Sequence, residues 1–254
     1  MSERSAGRGS EPVDTAAVWE RHAGWWQSEF TGGADAEYAE QILPLAARHL
    51  AGAARVLDLG CGEGQIARLV ASGGARRVVG VDASAAQIDE ARRRGGRAAY
   101  ARASATGLPL PAGSFDAVVA CLVLEHLDDL DRALDEVARV LRPGGRFVMF
   151  VNHPLFQTPG SGWIDDQVLD PPEQYWRVGP YLTEGVSIEE VDAGVRLPFF
   201  HRPLGRYVNA LAERGLYVTR MLEPAPPARF LALAPQYEDA ATIPRLLLLR
   251  AEKR

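Results

Sequence analysis

The chain is 254 residues long, 47% apolar and 24% charged, which sets aside the disordered and fibrous classes and suits one large α/β domain with a full core. It holds no run of about 18 apolar residues that could cross a bilayer. A formal net charge of -5 points away from a nucleic-acid partner, because such proteins carry a basic face. Two cysteines outside any C-x-x-C or Cys/His spacing point away from a disulfide framework and a structural metal.

Residues 1–12, rich in Ser, Gly, Arg and Glu, lack the apolar core of a signal peptide and read as a disordered leader, which makes the cytoplasm the default location. Over residues 13–30, Val13, Val18, Trp19, Trp25, Trp26 and Phe30 lie among charged neighbours, the pattern of a helix that docks by its aromatic face. A second helix is expected from about Asp35 to Leu50, kinked at Pro44. Residues 13–50 read either as a cover for the core or as a lid whose Trp25, Trp26 and Tyr38 wall in a small ligand.

Strand and helix signals then alternate, as parallel βαβ units require. Strands are expected at Arg55 to Leu59, Arg77 to Asp82, around Tyr100, Phe115 to Cys121 and Phe147 to Val151. Between them, Ser84 and Gln87 form a capping box for a helix from Ala85 to Arg94. A helix from about Asp129 to Leu141 places Leu130, Leu134, Val137 and Leu141 on one face, with Asp128 or Asp129 as cap. From Asn152 to about Pro203 the alternation stops, and aromatic and turn-forming residues lead into two β-like runs, Val186 to Val191 and Val195 to Phe200. This segment reads as an insertion with its own hairpin. A helix from Leu204 to Arg214 and strands at Tyr217 to Glu223 and Arg245 to Ala251 complete the chain.

The organising stretch is Val56 to Gly64, an apolar run that stops in glycines at 60, 62 and 64 and is followed by a helical segment. A dinucleotide fingerprint needs its third glycine at the sixth position, which here is Gln65. Asp58, inside the strand, offers nothing to a nicotinamide cofactor but suits a cofactor with an amino group. In order and spacing, Val56 to Gly64, the acid-terminated strand at Asp82, Leu108 to Asp116, Leu122 to Leu127 and Val140 to Gly145 resemble class I S-adenosylmethionine-dependent methyltransferases, and among them the ubiquinone and menaquinone biosynthesis branch. The likeness covers about residues 38–151.

The resemblance implies a doubly wound, Rossmann-like α/β fold with strand order 3-2-1-4-5-7-6 and an antiparallel seventh strand. Residues 51–254 would be the methyltransferase domain, and residues 152–203 its inserted substrate cap. It implies S-adenosylmethionine as cofactor, with Asp58 near the ammonium, Gly60, Cys61, Gly62 and Gly64 approaching it closely, and Asp82 on the ribose hydroxyls. Tyr38, Ala83, Gln87, Ala103, Ser104, Ala105, Cys121 and Leu122 join this set. Ser104 stands where many relatives carry an acid near the adenine amino group. For a general base, the expected residue is His153, with His126 and His201 as the other histidines in reach and Tyr181 as a hydrogen-bond donor to substrate.

Eight acids against two arginines between Asn152 and Phe200 favour a neutral or amine-bearing small molecule as methyl acceptor. The hairpin is also a candidate arm for a homodimer. Two rivals stand beside methyl transfer: an NAD(P)-dependent oxidoreductase, disfavoured by the glycine spacing, and a non-catalytic binding protein that keeps the fold.

Overall fold

The computed structural model describes residues 13–32, 34–232 and 241–254; the leader expected over residues 1–12 lies outside them. The first helix, α1 (Thr15–Glu29), is capped by Asp14, whose side chain accepts from the Ala17 N–H. The second expected helix begins instead as a π-helical turn, Tyr38–Ile42, and becomes the α-helix α2 (Leu43–Leu50) at Pro44. Proline has no N–H to give to the preceding turn, and the widened turn ahead of it accommodates the mismatch.

The alternating part follows as β1 (Arg55–Leu59), α3 (Gln65–Ser72), β2 (Arg77–Asp82), α4 (Ala85–Arg94), β3 (Ala99–Arg102), β4 (Phe115–Cys121), α5 (Leu130–Val140) and β5 (Leu141–Asn152). Asp129 caps α5 by accepting from the Arg132 N–H. The insertion contains two hairpins rather than one: β6 (Gly162–Asp166) with β7 (Glu173–Arg177), and β8 (Gly185–Asp192) with β9 (Val195–His201). The first pair escapes a sequence reading because prolines and acids surround its short strands. After it come α6 (Leu204–Glu213), β10 (Leu216–Leu222), the short α7 (Ala228–Leu231) and β11 (Leu246–Lys253).

Seven strands form one sheet in the order β10-β11-β5-β4-β1-β2-β3. With the hairpin strands set aside this is the expected 3-2-1-4-5-7-6, and β11 runs antiparallel to both neighbours. Both faces are covered, so the central strands are mostly apolar. In β11, Leu247 and Leu249 enter the layer under α5 and α6, while Leu246 and Leu248 enter the layer under α2 and α3. Each such buried leucine contributes about 1.5–3 kcal/mol from removal of apolar surface from water.

At the opposite end from the glycine loop, Asp116 accepts from the N–H groups of Ala54 and Arg55 and from Arg142 Nε at 3.0, 2.8 and 2.7 Å. One carboxylate thereby holds the entry of β1, the start of β4 and the turn into β5 together.

Candidate active site

The loop between β1 and α3 is stitched to β2: the N–H groups of Gly60 and Cys61 both donate to the Val81 carbonyl, at 2.8 and 2.9 Å. Gly60, Gly62 and Gly64 have φ of +69°, +52° and +85°, values that side-chain-bearing residues rarely adopt. A Cβ on Gly60 would lie 2.3 Å from a Val123 methyl. Gly60→Ala is therefore expected to cost about 2–4 kcal/mol, read as a Tm loss on the order of 10 °C.

Asp82 ends β2 beside this loop. Its Oδ2 accepts from the Gly62 N–H at 2.9 Å and its Oδ1 from the Ser84 N–H at 2.8 Å. Each oxygen keeps a free lone-pair direction. Burial pushes this carboxyl up, against the pull of the same two amides. Ser84 caps α4 by accepting from the Gln87 N–H, as its spacing suggests. The return arm of the expected capping box does not form: Gln87 Oε1 accepts from Gln27 Nε2 of α1 at 3.1 Å. Helix α1, packed over the start of α4, has taken that side chain.

Asp58 is 2% exposed. The N-cap position of α3 is Gly64, which has no side chain to offer, and Asp58 instead receives the Ala67 N–H in the first turn of that helix. Its Oδ2 is buried with no partner. Burial, eased by the Ala67 amide and aggravated by Asp82 and Glu63, pushes this carboxyl up to about 7. After burial, the Asp58 charge is the next cause that raises the thiols of Cys61 and Cys121.

A cavity of roughly 910 Å³ of empty space, open mouth included, lies over the C-terminal ends of β1, β2 and β4. Of the residues expected at the cofactor, all but Asp58 and Gly64 line it: Tyr38, Gly60, Cys61, Gly62, Asp82, Ala83, Gln87, Ala103, Ser104, Ala105, Cys121 and Leu122. Leu122 holds φ +55° and is anchored by its N–H on the Phe150 carbonyl, a conformation that L-residues with branched side chains adopt only under constraint. The roof comes from α1, with Thr15, Ala16, Trp19 and Trp26. Thr15 and Ala16 carry no sequence signal, whereas Val123 and Leu127, also in the wall, lie inside the Leu122 to Leu127 stretch.

Only one of the four expected catalytic residues lines this cavity. His126 does, from a 3-10 turn after β4. Its Nδ1 lies 2.8 Å from the Pro198 carbonyl, which can only accept, so Nδ1 carries the proton and Nε2 is left with a lone pair. The ring sits between Trp19 of α1 and Phe199 of β9, at centroid distances of 4.9 and 4.6 Å. Burial lowers its pKa to about 4, the Pro198 carbonyl opposing. Arg202 holds the same turn by donating to the carbonyls of Leu124, Leu127 and Asp128. Glu125 ties it to β5 by accepting from the Asn152 N–H.

The preferred base of the sequence reading lies elsewhere. His153 donates from Nε2 to Glu223 at 2.8 Å and accepts at Nδ1 from the Leu155 N–H, so both nitrogens are engaged. It is a turn-holding residue outside the cavity wall. His201 donates from Nε2 to the Tyr181 carbonyl, and Tyr181 accepts through its hydroxyl from the Leu204 N–H; neither reaches the wall. These contacts tie the segment around Tyr181 to the end of β9 and the start of α6. The eight acids of the insertion are likewise absent from the wall. Asp192 accepts from the Trp25 indole N–H and Glu189 from Gln157, so their charge does not line the cavity.

A methyltransferase-domain family profile matches residues 57–149. The crystal structure of an S-adenosylmethionine-dependent methyltransferase from Mesorhizobium loti superposes with a TM-score of 0.72 at 30% identity, over 86% of this chain and 98% of that one. The chain belongs to the S-adenosylmethionine-dependent methyltransferases.

Within that family, the probable S-adenosylmethionine-dependent methyltransferase of Mycolicibacterium smegmatis is 42% identical over 105 residues, 41% of this chain and 40% of its own length. The 27-O-demethylrifamycin SV methyltransferase of Amycolatopsis mediterranei is 30% identical over 186 residues, 69% of this chain and 64% of its own. The chain thus spans 40% and 64% of these two curated relatives. The likeness does not single out the ubiquinone and menaquinone branch. The family's methyl donor is S-adenosylmethionine, and the residues present suit it. The partnerless Asp58 oxygen is chemically matched to an ammonium, the Asp82 carboxylate to vicinal hydroxyls, and the positive-φ glycines leave room for close approach.

Proposed function

We propose that this protein transfers the methyl group of S-adenosylmethionine to an oxygen, nitrogen or carbon nucleophile of a small neutral or amine-bearing metabolite, in the cytoplasm. Its two buried free thiols, Cys61 and Cys121, suit a reducing compartment. Among the described residues, no helix is long and apolar enough to cross a membrane.

One observation carries the reading: a single cavity joins the glycine loop and Asp82 to His126, under the aromatic roof of Trp19 and Trp26. Among the described residues no lysine or arginine lines it, which disfavours an anionic acceptor more directly than the acidic insertion does. The bound cofactor supplies an activated methyl on a sulfonium. The protein's own part is to hold the acceptor in line and keep water out, which provides much of the rate in such transfers.

In this reading α1 is the lid. Its Glu20 accepts from the Ala86 N–H at the start of α4, and Trp25 reaches Asp192 on the hairpin, so lid and cap close as one unit. His126 accepts the acceptor's O–H or N–H hydrogen at Nε2, in a tautomer already set by Pro198.

A base with a pKa of about 4 lies below the optimum for reaction at neutral pH, so its contribution falls at the low end of the usual 10²–10⁴ range. With a turned-over substrate, His126→Ala is expected to lower kcat about 100-fold. Wild-type kcat should stay flat above pH 6 and fall as pH drops through about 4, where Nε2 becomes protonated. His153→Ala should leave kcat within about twofold while lowering Tm, because it removes a turn contact worth on the order of 1 kcal/mol. Equal kcat losses in the two variants would sink the assignment of His126. A metabolite screen for methyl turnover tests the function itself, and cofactor binding without turnover on any acceptor would favour the non-catalytic reading.

A further inference from the structure

A second cavity opens at the other end of the sheet. It lies among the N-terminal ends of β1, β2 and β4, the turn into β5 and the last residues of β11, with roughly 1010 Å³ of empty space including its mouth. Nothing in the proposed reaction uses it.

Its wall contains Arg76, Arg142, Arg146 and Arg250 against the carboxylates Asp116 and Glu252, a formal excess of two positive charges. Both acids are occupied. Asp116 is the clamp described above, holding Arg142, and Glu252 accepts from Arg250. Among the described residues Arg76 makes no ion pair, and it stands exposed at the rim. Arg146 donates from one nitrogen to the carbonyls of Leu50 and Ala51 at 3.0 and 2.6 Å. The Nε atoms of Arg146 and Arg250 are buried with no partner.

The field of these guanidiniums is felt by their neighbours. Burial, and next to it Arg250, lowers the pKa of Arg146. His49 behind them is lowered by burial and then by Arg250, Arg48, Arg220 and Arg146. Grouped cations that outnumber the acids beside them draw anions. Two surplus charges carried by guanidiniums match an anion with several oxygens and at least two negative charges better than a single carboxylate.

We propose that this cavity binds a small phosphate-class polyanion, at a site separate from the methyl-donor pocket.

The test uses the full chain and inorganic pyrophosphate, titrated by calorimetry and thermal shift at fixed ionic strength with chloride as control, with and without saturating S-adenosylmethionine. Pyrophosphate should bind with a sub-millimolar Kd that S-adenosylmethionine leaves unchanged. Arg76→Gln should weaken it about tenfold, and Arg76→Gln combined with Arg250→Gln should abolish it, while S-adenosylmethionine affinity stays the same in both. Inorganic phosphate as a second probe should bind by the same residues but more weakly, having fewer oxygens and less charge. If the double variant does not fold, Arg76→Glu replaces it, with an expected loss of more than about 30-fold. An equal response to chloride, binding retained in these variants, or competition with S-adenosylmethionine would each overturn the proposal. Competition would leave the methyltransferase reading intact, so the two fail separately.

Discussion

Asp82→Ala is expected to weaken S-adenosylmethionine binding by at least about 100-fold, measured by calorimetry on the folded variant. The expectation follows from what the carboxylate can do. Two backbone amides, from Gly62 and Ser84, fix its plane beside the glycine loop, and each oxygen retains a lone pair for a ribose hydroxyl. Charge-assisted bonds of this kind are worth about 1.5–3 kcal/mol each. Removing two of them accounts for the loss. A modest drop in Tm should accompany it, because the Gly62 and Ser84 N–H groups lose their acceptor. The same titration with NAD(H) should show no binding to the wild type. Binding of NAD(H) without S-adenosylmethionine would replace methyl transfer with the oxidoreductase alternative.

Asp58→Asn should move stability and affinity in opposite directions. Burial pushes the Asp58 carboxyl up to about 7, above its ordinary value near 4. The stability attached to this group is therefore full below about pH 4 and is lost as pH rises through 7. Asparagine has no charge to bury. The free variant is expected to be more stable than wild type above pH 7 by roughly 1–3 kcal/mol, with the difference vanishing below about pH 4.

Affinity for S-adenosylmethionine should fall about 10- to 100-fold, the worth of one charge-assisted contact to an ammonium. Wild-type affinity should rise with pH through about 7 as the carboxyl ionises, and the variant's should not. If Asp58 serves only to receive the Ala67 N–H at the start of α3, affinity will be unchanged and the ammonium contact is refuted, whatever the stability does.

The asymmetry between these aspartates and the histidines shows where sequence reasoning reaches. Asp58 and Asp82 belong to a strand and a strand end whose neighbours in space are also neighbours in pattern: apolar strand, glycine turn, helix. His153 and His126 each follow one of two adjacent strands, and pattern alone ranks them poorly. What separates them is contact across the chain. His153 meets Glu223 across 70 residues and His126 meets Pro198 across 72. The same holds for Gln87, drawn away from its own cap by Gln27, 60 residues earlier. It holds as well for the acids of the insertion, whose orientation depends on how α1 and β9 pack through Val18, Trp19, Trp25 and Phe199.

By itself, then, the sequence determined the sheet, its strand order by resemblance, and the glycine loop with its acid neighbours, because those features are enforced locally. Positive φ requires glycine, and a strand buried on both faces requires an apolar run. Only the tertiary structure decided which histidine faces the cavity, which helix roofs it and where four arginines converge at the far end. Such choices rest on side chains brought together by packing of remote segments, and no local period or spacing encodes that meeting.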